Sequence, residues 1–146
     1  MPETEIIEIG GNPDRRPGLD LKAAFSIRRA VFCAEQGVSE AEEIDGRDDQ
    51  CRHYLAVAAG VAIGTARTRI LTNGNTKIER VAVLKPHRRS GIGRRLMIYI
   101  MDNASSNMVL NAQIAVQRFY RELGFVPEGP VFLEADIEHI HMTLKE

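Results

Sequence analysis

Polar and apolar residues alternate from Thr4 to Ile9, a period of two that predicts an edge strand. Gly10 to Gly18 is rich in turn residues. From Leu19 to Phe32 the pattern changes: Leu21, Ala24, Phe25, Arg28 and Phe32 recur at near-helical spacing and predict a helix. The acidic stretch after it suits a short helix or a loop. His53–Ala59 and Val61–Leu71 flank Gly60 and read as strands. Asn73-Gly74 is a strong turn signal and leads into a further strand, Lys77–Leu84. Beyond Pro86 the period becomes 3.6, with Ile92, Leu96, Met97, Ile100 and Met101 forming one apolar stripe of a helix. Met108–Ala112 predicts a short strand and Ile114–Leu123 a helix stopped at Gly124. Phe125–Leu133 and His139–Leu144 close the chain as strands. This order predicts a mixed α/β layout in which helices cover a sheet. No repeat or linker marks a second domain, so residues 1–146 are expected to form one.

Composition narrows the class. A chain of 146 residues has the length of one domain. At that size roughly 70% of the unfolded surface can be buried. With 44% hydrophobic residues and a net charge of −1, disorder is excluded. No stretch approaches the ~18 apolar residues that span a bilayer. Met1-Pro2-Glu3-Thr4-Glu5 lacks the basic-then-apolar layout of a signal peptide. Cys33 and Cys51 are isolated, unlike the cysteines of a disulfide scaffold. The expectation is a soluble cytoplasmic protein with no membrane partner. No His/Cys cluster has metal-ligand spacing, so no metal is expected.

Charge is balanced overall but not locally. Glu35 to Asp49 holds seven carboxylates against one base, Arg47. Lys85 to Arg95 holds five bases, His87 and no acid. The fold should therefore offer a cation-attracting region and a separate anion-attracting one. The basic run sits at a strand-to-helix junction, Lys77 to Leu96. The first N–H groups of a helix have no internal partner, and the macrodipole adds about half a positive charge there. Gly91 and Gly93 keep side chains off that backbone, and Arg88, Arg89 and Arg94 add positive charge. Together they make a pyrophosphate cradle. The loop lacks the Lys-Ser/Thr of a Walker motif and the three glycines of a dinucleotide fingerprint. A pI near 6.4 and 5% aromatics argue against nucleic acid as the partner.

The spacing Arg88-x-x-Gly91-x-Gly93 after a strand resembles the signature of the GCN5-related N-acetyltransferases (GNAT). Leu110-Asn111-Ala112-Gln113, Phe119-Tyr120 and Leu123-Gly124-Phe125 extend the likeness. Arg28-x-x-Val31-Phe32, Glu35-Gln36, Glu43-x-Asp45-x-x-Asp48, His53, Phe132-x-Glu134, Ile137, His139 and Met142 are similar to its bacterial ElaA/YjcF-like subgroup. The resemblance implies a GNAT fold: a mixed, mostly antiparallel sheet of six to seven strands, flanked by about four helices. Two parallel strands, here Lys77–Leu84 and Met108–Ala112, would splay into a V holding acetyl-CoA. The pantetheine arm would pair with the backbone of Val81, Ala82 and Val83 like an added strand. Arg88, Arg89, Ser90, Gly91, Ile92, Gly93 and Arg94 would take the pyrophosphate. Asn111 would reach the arm from the other side, and Phe119 would pack on it. The implied reaction is acetyl transfer to a small-molecule amine.

Such transfer needs an oxyanion donor, for which an N–H of Val81 or Ala82 suits. It also needs a proton for the departing sulfur, and Tyr120 occupies the position where the family commonly places that acid. The alternative is that Tyr120 is an amphipathic core residue with its hydroxyl bonded elsewhere. Two bases are open: Glu79, two residues before Val81 on the same strand face, and His139. His141, His87 and His53 are weaker choices. Arg28 could pair with a carboxylate of the acidic segment or bind one on the acceptor. Glu35, Gln36, Glu43, Asp45 and Asp48 could draw in a cationic amine or simply tie down a loop. A non-catalytic acyl-CoA sensor is the alternative reading. Oligomeric state, monomer or homodimer, is left open by the sequence.

Overall fold

The computed structural model describes residues 3–9, 18–104 and 106–144. The turn-rich stretch expected from Gly10 to Gly18 lies outside them except for Gly18. Seven strands form one sheet: β1 (Thr4–Ile9), β2 (Arg52–Ala58), β3 (Val61–Ile70), β4 (Thr76–Val83), β5 (Met108–Gln113), β6 (Val126–Glu134) and β7 (Ile137–Leu144). Their order is β1-β2-β3-β4-β5-β7-β6, antiparallel throughout except for the β4–β5 pair. Four α-helices accompany them: α1 (Leu21–Arg28), α2 (Glu40–Glu43), α3 (Ile92–Asn103) and α4 (Gln117–Glu122). This is the helix-covered sheet that the order of elements predicts, and the mixed, mostly antiparallel one that the resemblance implies. Among the described residues no helix is long and apolar enough to cross a membrane.

Two cores sandwich the sheet. On one face α3 lays Ile92, Leu96, Met97 and Ile100 on Tyr54, Ala56, Ile63, Ile78, Leu110 and Met142. On the other, α1 sets Ala24 and Ile27 against Leu55, Val57 and Ala82. Gly64 lets α3 come close: a Cβ there would stand 3.3 Å from Ile92 and Leu96 and 3.2 Å from the Ala82 carbonyl.

Three local departures from the expected elements shape the site. The helix expected to run to Phe32 keeps its α-form only to Arg28 and continues as a π-helix, Arg29–Glu35. There the Gln36 N–H donates to Val31 O, five residues back. Such slips recur at functional sites. The expected Ile114–Leu123 helix begins instead with a 3₁₀ turn, Ile114–Val116. β4 carries a bulge: four of its residues, Glu79 to Ala82, face three of β3, Thr65 to Arg67. Arg80 takes a left-handed φ of 58° to make it. The bulge puts Glu79 and Arg80 side by side on the sheet face that meets the acidic loop. Val81 and Val83 then turn toward the α3 core.

Candidate active site

β4 and β5 pair for only three residues, Thr76↔Met108 to Ile78↔Leu110. Beyond Ile78 they part, β5 turning to β7 through Asn111↔His141 and Gln113↔His139. The flank of β4 turned toward β5 therefore has no strand partner from the bulge onward. A cavity of about 810 Å³ fills the gap. Its walls include Glu79 to Val83 of β4, Asn111 and Gln113 of β5, Phe119 and Tyr120 of α4, and His87 to Arg89 with Gly91 to Arg94.

At one end of the cavity stands the start of α3. Gly91 caps it in a left-handed conformation, φ 82°, which an L side chain rarely adopts. The first intrahelical bond runs from Arg95 N–H to Gly91 O. The N–H groups of Ile92, Gly93 and Arg94 thus have no partner within the helix and point out of its positive end. Ser90 donates its hydroxyl to His87 O at 2.6 Å and stiffens the turn. A Cβ on Gly93 would touch Phe119 at 3.5 Å, so the glycine lies on the cavity wall. Arg88 is held rather than free. Its Nε donates to Val83 O (2.8 Å), and Nη1 and Nη2 grip both Glu35 oxygens at 2.8 and 2.7 Å. That grip draws the Glu35 carboxyl below its ordinary range. Beside it, Gln36 and Gln113 exchange amide hydrogen bonds across the cavity mouth, the shorter at 2.8 Å. The π-helix thus delivers Glu35 to one arm of the V and Gln36 to the other.

In the middle of the cavity, Tyr120 packs edge-on between Phe119 and Phe125, with centroids 4.9 and 6.3 Å away. Burial pushes its hydroxyl up to about 12, so it stays protonated at any working pH. It makes no hydrogen bond with the described residues. Asn111 Oδ1 meets His141 Nδ1 at 2.8 Å, which leaves its Nδ2 donors for the cavity.

The other end is ionic. Arg28 and Arg67, each 1% exposed, are among the most deeply buried side chains described. Arg28 binds Glu43 and Asp48, both at 2.6 Å. Arg67 binds Asp48 (2.9 Å), Asp45 (2.6 Å) and Glu79 (2.7 Å). Arg80 stands 2.9 Å from Glu43, and Arg69 and Lys77 complete the surroundings of Glu79 at 3.1 and 3.2 Å. Hydrogen bonds from Arg67 hold Asp45 far below the usual carboxylate range. For Asp48 and Glu79, burial pulls the carboxyl upward, but the neighbouring guanidiniums outweigh it and the net shift is down. His53 sits under this lattice, its Nε2–H donating to Asp48 O at 2.8 Å, and burial depresses its basicity.

Residues 24–146 match the family model described as an acetyltransferase (GNAT) domain. The chain belongs to the GNAT family. YjcF of Bacillus subtilis, an uncharacterized N-acetyltransferase, is 36% identical over 127 residues, covering 84% of this chain and 90% of YjcF. ElaA of Escherichia coli is 32% identical over 134 residues, 84% of this chain and 86% of ElaA. The crystal structure of E. coli ElaA superposes with a TM-score of 0.80 over the full length of both chains, at 28% identity. An acyl-CoA N-acyltransferase from Pseudomonas aeruginosa superposes at 0.82, also with 28% identity, over 97% of this chain and 99% of its own. A GNAT acetyltransferase from Elizabethkingia anophelis, solved with acetyl-CoA bound, shares the fold at 0.71 and 18% identity, over 98% of each chain.

In this GNAT chain the expected residues line one cavity, namely Val81, Ala82, Val83, Arg88, Arg89, Gly91, Ile92, Gly93, Arg94, Asn111, Phe119, Tyr120 and Glu79, except Ser90, which is not on its wall and spends its hydroxyl on His87 O. Their states differ from expectation in two places. Arg88 spends its guanidinium on Glu35 and Val83 O, so the anion-facing donors of the loop are peptide N–H groups. Glu79 is encircled by Arg67, Arg69 and Lys77, which lowers its proton affinity and argues against it as the base. The acidic segment is also largely spent: Glu43, Asp45 and Asp48 neutralise Arg28, Arg67 and Arg80. Arg28 is therefore a buried anchor and not an acceptor ligand. Arg67 escaped the sequence reading. Its signal was the run Thr65, Arg67, Arg69 at strand period, opposite Lys77 and Glu79 across one turn, which marks a polar sheet face.

Proposed function

We propose that residues 1–146 act as one acetyl-CoA-dependent N-acetyltransferase domain, passing an acetyl group to the primary amine of a small-molecule acceptor by direct attack on the thioester. One observation carries this reading: the free flank of β4 beyond Ile78 and the bare N–H groups at the start of α3 open into the same cavity. An extended, amide-bearing carrier with a diphosphate at one end fits both. Val81, Ala82 and Val83 would hold the arm by strand augmentation. Ile92, Gly93 and Arg94 would hold the diphosphate through peptide N–H groups, with Arg89 and Arg94 adding charge. Phe119 and Asn111 would flank the arm. The carrier supplies an activated acyl carbon.

The chain's own residues supply the rest. A backbone N–H of the bulge, from Val81 or Ala82, donates to the oxygen on which charge develops, and being fixed it costs no reorganisation. Tyr120 keeps its proton until a thiolate forms beside it, a task for which a hydroxyl without other partners suits. Glu79 holds Arg67 and Lys77 in place at the acceptor end.

Titration calorimetry with acetyl-CoA tests the reading: saturable binding is expected, and no heat at millimolar ligand ends it. Free-thiol release with a panel of primary amines is the second stage. Tight binding with no thiol released by any amine would favour a sensor over an enzyme.

A further inference from the structure

The hairpin joining β6 and β7 turns on two non-glycine residues in the left-handed region, of which Ala135 is ill-suited to it. Ala135 and Asp136 have φ of 50° and 60°, a turn for which Asn-Gly is the usual choice. The turn puts Glu134 opposite Ile137 and Phe132 opposite His139. It brings Glu134, Ala135, Ile137 and His139 to the cavity wall. Strained backbone persists where its surroundings hold it, often at functional sites.

His139 is set up in detail. Its ring is buried and stacks on Phe132, centroids 6.0 Å apart and planes 25° from parallel. Nδ1 lies 2.7 Å from Ile137 O. A carbonyl oxygen only accepts, so the proton of the neutral ring is on Nδ1 and the lone pair is on Nε2. Glu134 Oε2 lies 3.7 Å from Nε2. The elements packed most closely on β7 are β5, β6 and the 3₁₀ turn Ile114–Val116. Opposite the ring they bring Gln113 and Phe132, both uncharged, and the turn contains no titratable residue. Glu134 is the charged group, among the described residues, that lies within ion-pair reach of His139.

We propose that His139 Nε2 takes the proton from the acceptor's ammonium, with Glu134 as the positioning residue that draws the ammonium in. This rests on the acetyl-transfer reading above. The ammonium gives one proton to Nε2, and the freed lone pair forms the C–N bond as the carbonyl electrons move to oxygen. Collapse breaks the C–S bond, and sulfur takes the Tyr120 proton. The second N–H proton leaves the nitrogen and resets Tyr120 through solvent, while the imidazolium returns the first to water. One amide, one thiol and one released proton balance the step.

Two acceptors of matched size separate this role from a structural one: methylamine, an ammonium near neutral pH, and hydroxylamine, which is already neutral there. Thiol release from acetyl-CoA is read for each, with an acetyl-CoA binding isotherm for every variant. His139→Gln is expected to lose methylamine turnover by about 100-fold or more while keeping hydroxylamine turnover and acetyl-CoA affinity. Glu134→Gln, at a half-exposed side chain, should raise the methylamine KM several-fold while sparing the hydroxylamine KM and acetyl-CoA affinity. The selectivity follows from removing a negative charge that attracts a cationic acceptor and not a neutral one. If His139→Gln slows both acceptors alike or neither, or Glu134→Gln leaves the methylamine KM in place, the proposal is overturned. A wild-type protein that binds acetyl-CoA but releases no thiol above the enzyme-free rate to these probes or to any amine of the panel overturns acetyl transfer itself, and this assignment with it.

Discussion

At the α3 end of the cavity the unpaired groups are peptide N–H groups from one short run, Ile92 to Arg94. At the ionic end, Arg28, Arg67, Arg69, Lys77 and Arg80 converge with Glu43, Asp45, Asp48 and Glu79 from four separate stretches of chain. The first end is made by leaving groups unpaired, so it costs the fold little and is ready for an anion. The second is made by pairing charges in a buried place, where each depends on all the others. The contrast teaches where damage shows: at one end in binding, at the other in folding.

Arg67→Met would break the comparison most sharply. It leaves Asp45, Asp48 and Glu79 with an uncompensated charge, and a loss of about 3–5 kcal/mol in urea unfolding is expected. A loss under about 1 kcal/mol would show that the lattice is not structural. Gly91→Glu is the matching experiment at the other end. Bulk, like charge and a left-handed φ of 82° should lower acetyl-CoA affinity by about 100-fold, worth about 2.7 kcal/mol. Nothing lies within 4 Å of a Cβ there, so stability should fall by only about 1 kcal/mol of backbone strain. Wild-type affinity in that variant would remove the phosphate assignment.

Tyr120→Phe sharpens the middle of the cavity. Turnover should drop by about 100-fold with acetyl-CoA affinity kept. Because the hydroxyl is pushed up to about 12, no basic limb from Tyr120 should appear in the wild-type profile below about pH 11. Unchanged turnover would mean that another group protonates the sulfur.

The smallest effect concerns pH and folding. His53 has a depressed proton affinity when folded, so the unfolded chain binds the extra proton first. Its stabilisation is present above the unfolded value, about 6.5, and is lost as pH falls below it. His53→Gln should flatten the stability slope between roughly pH 6.5 and 5. Asp45, Asp48 and Glu79 act later. Their folded values are lowered, so what they contribute is lost only as pH falls below the ordinary carboxylate range, about 4. A slope that is unaltered in the His53 variant would assign the mild-acid loss elsewhere.

Why one end was legible in the sequence and the other was not follows from the same contrast. The loop from Arg88 to Arg94 is contiguous, and its glycines mark positions that other residues avoid. The strands carried their period openly, and all seven were located within a few residues. The π-helical slip after Arg28 has no residue signature, because it shifts hydrogen bonds without requiring Gly or Pro. The β4 bulge rests on an arginine at φ 58°, where nothing in the string Ile78-Glu79-Arg80-Val81 announces a left-handed residue. The Ala135-Asp136 turn lacks the Asn-Gly that exposed the turn at Asn73-Gly74. Arg67 lies inside a good strand, and its partners lie 12 to 22 positions away. Charge counting showed seven acids in need of partners but not which cations would supply them.

The three-residue zip between β4 and β5 sets a limit on how far the molecule can be improved. Each further rung added between those strands would stiffen the sheet and occupy one of the peptide groups proposed to grip the pantetheine arm. Variants selected only for heat resistance should therefore creep toward closing the V, gaining melting temperature as they lose the ability to be filled.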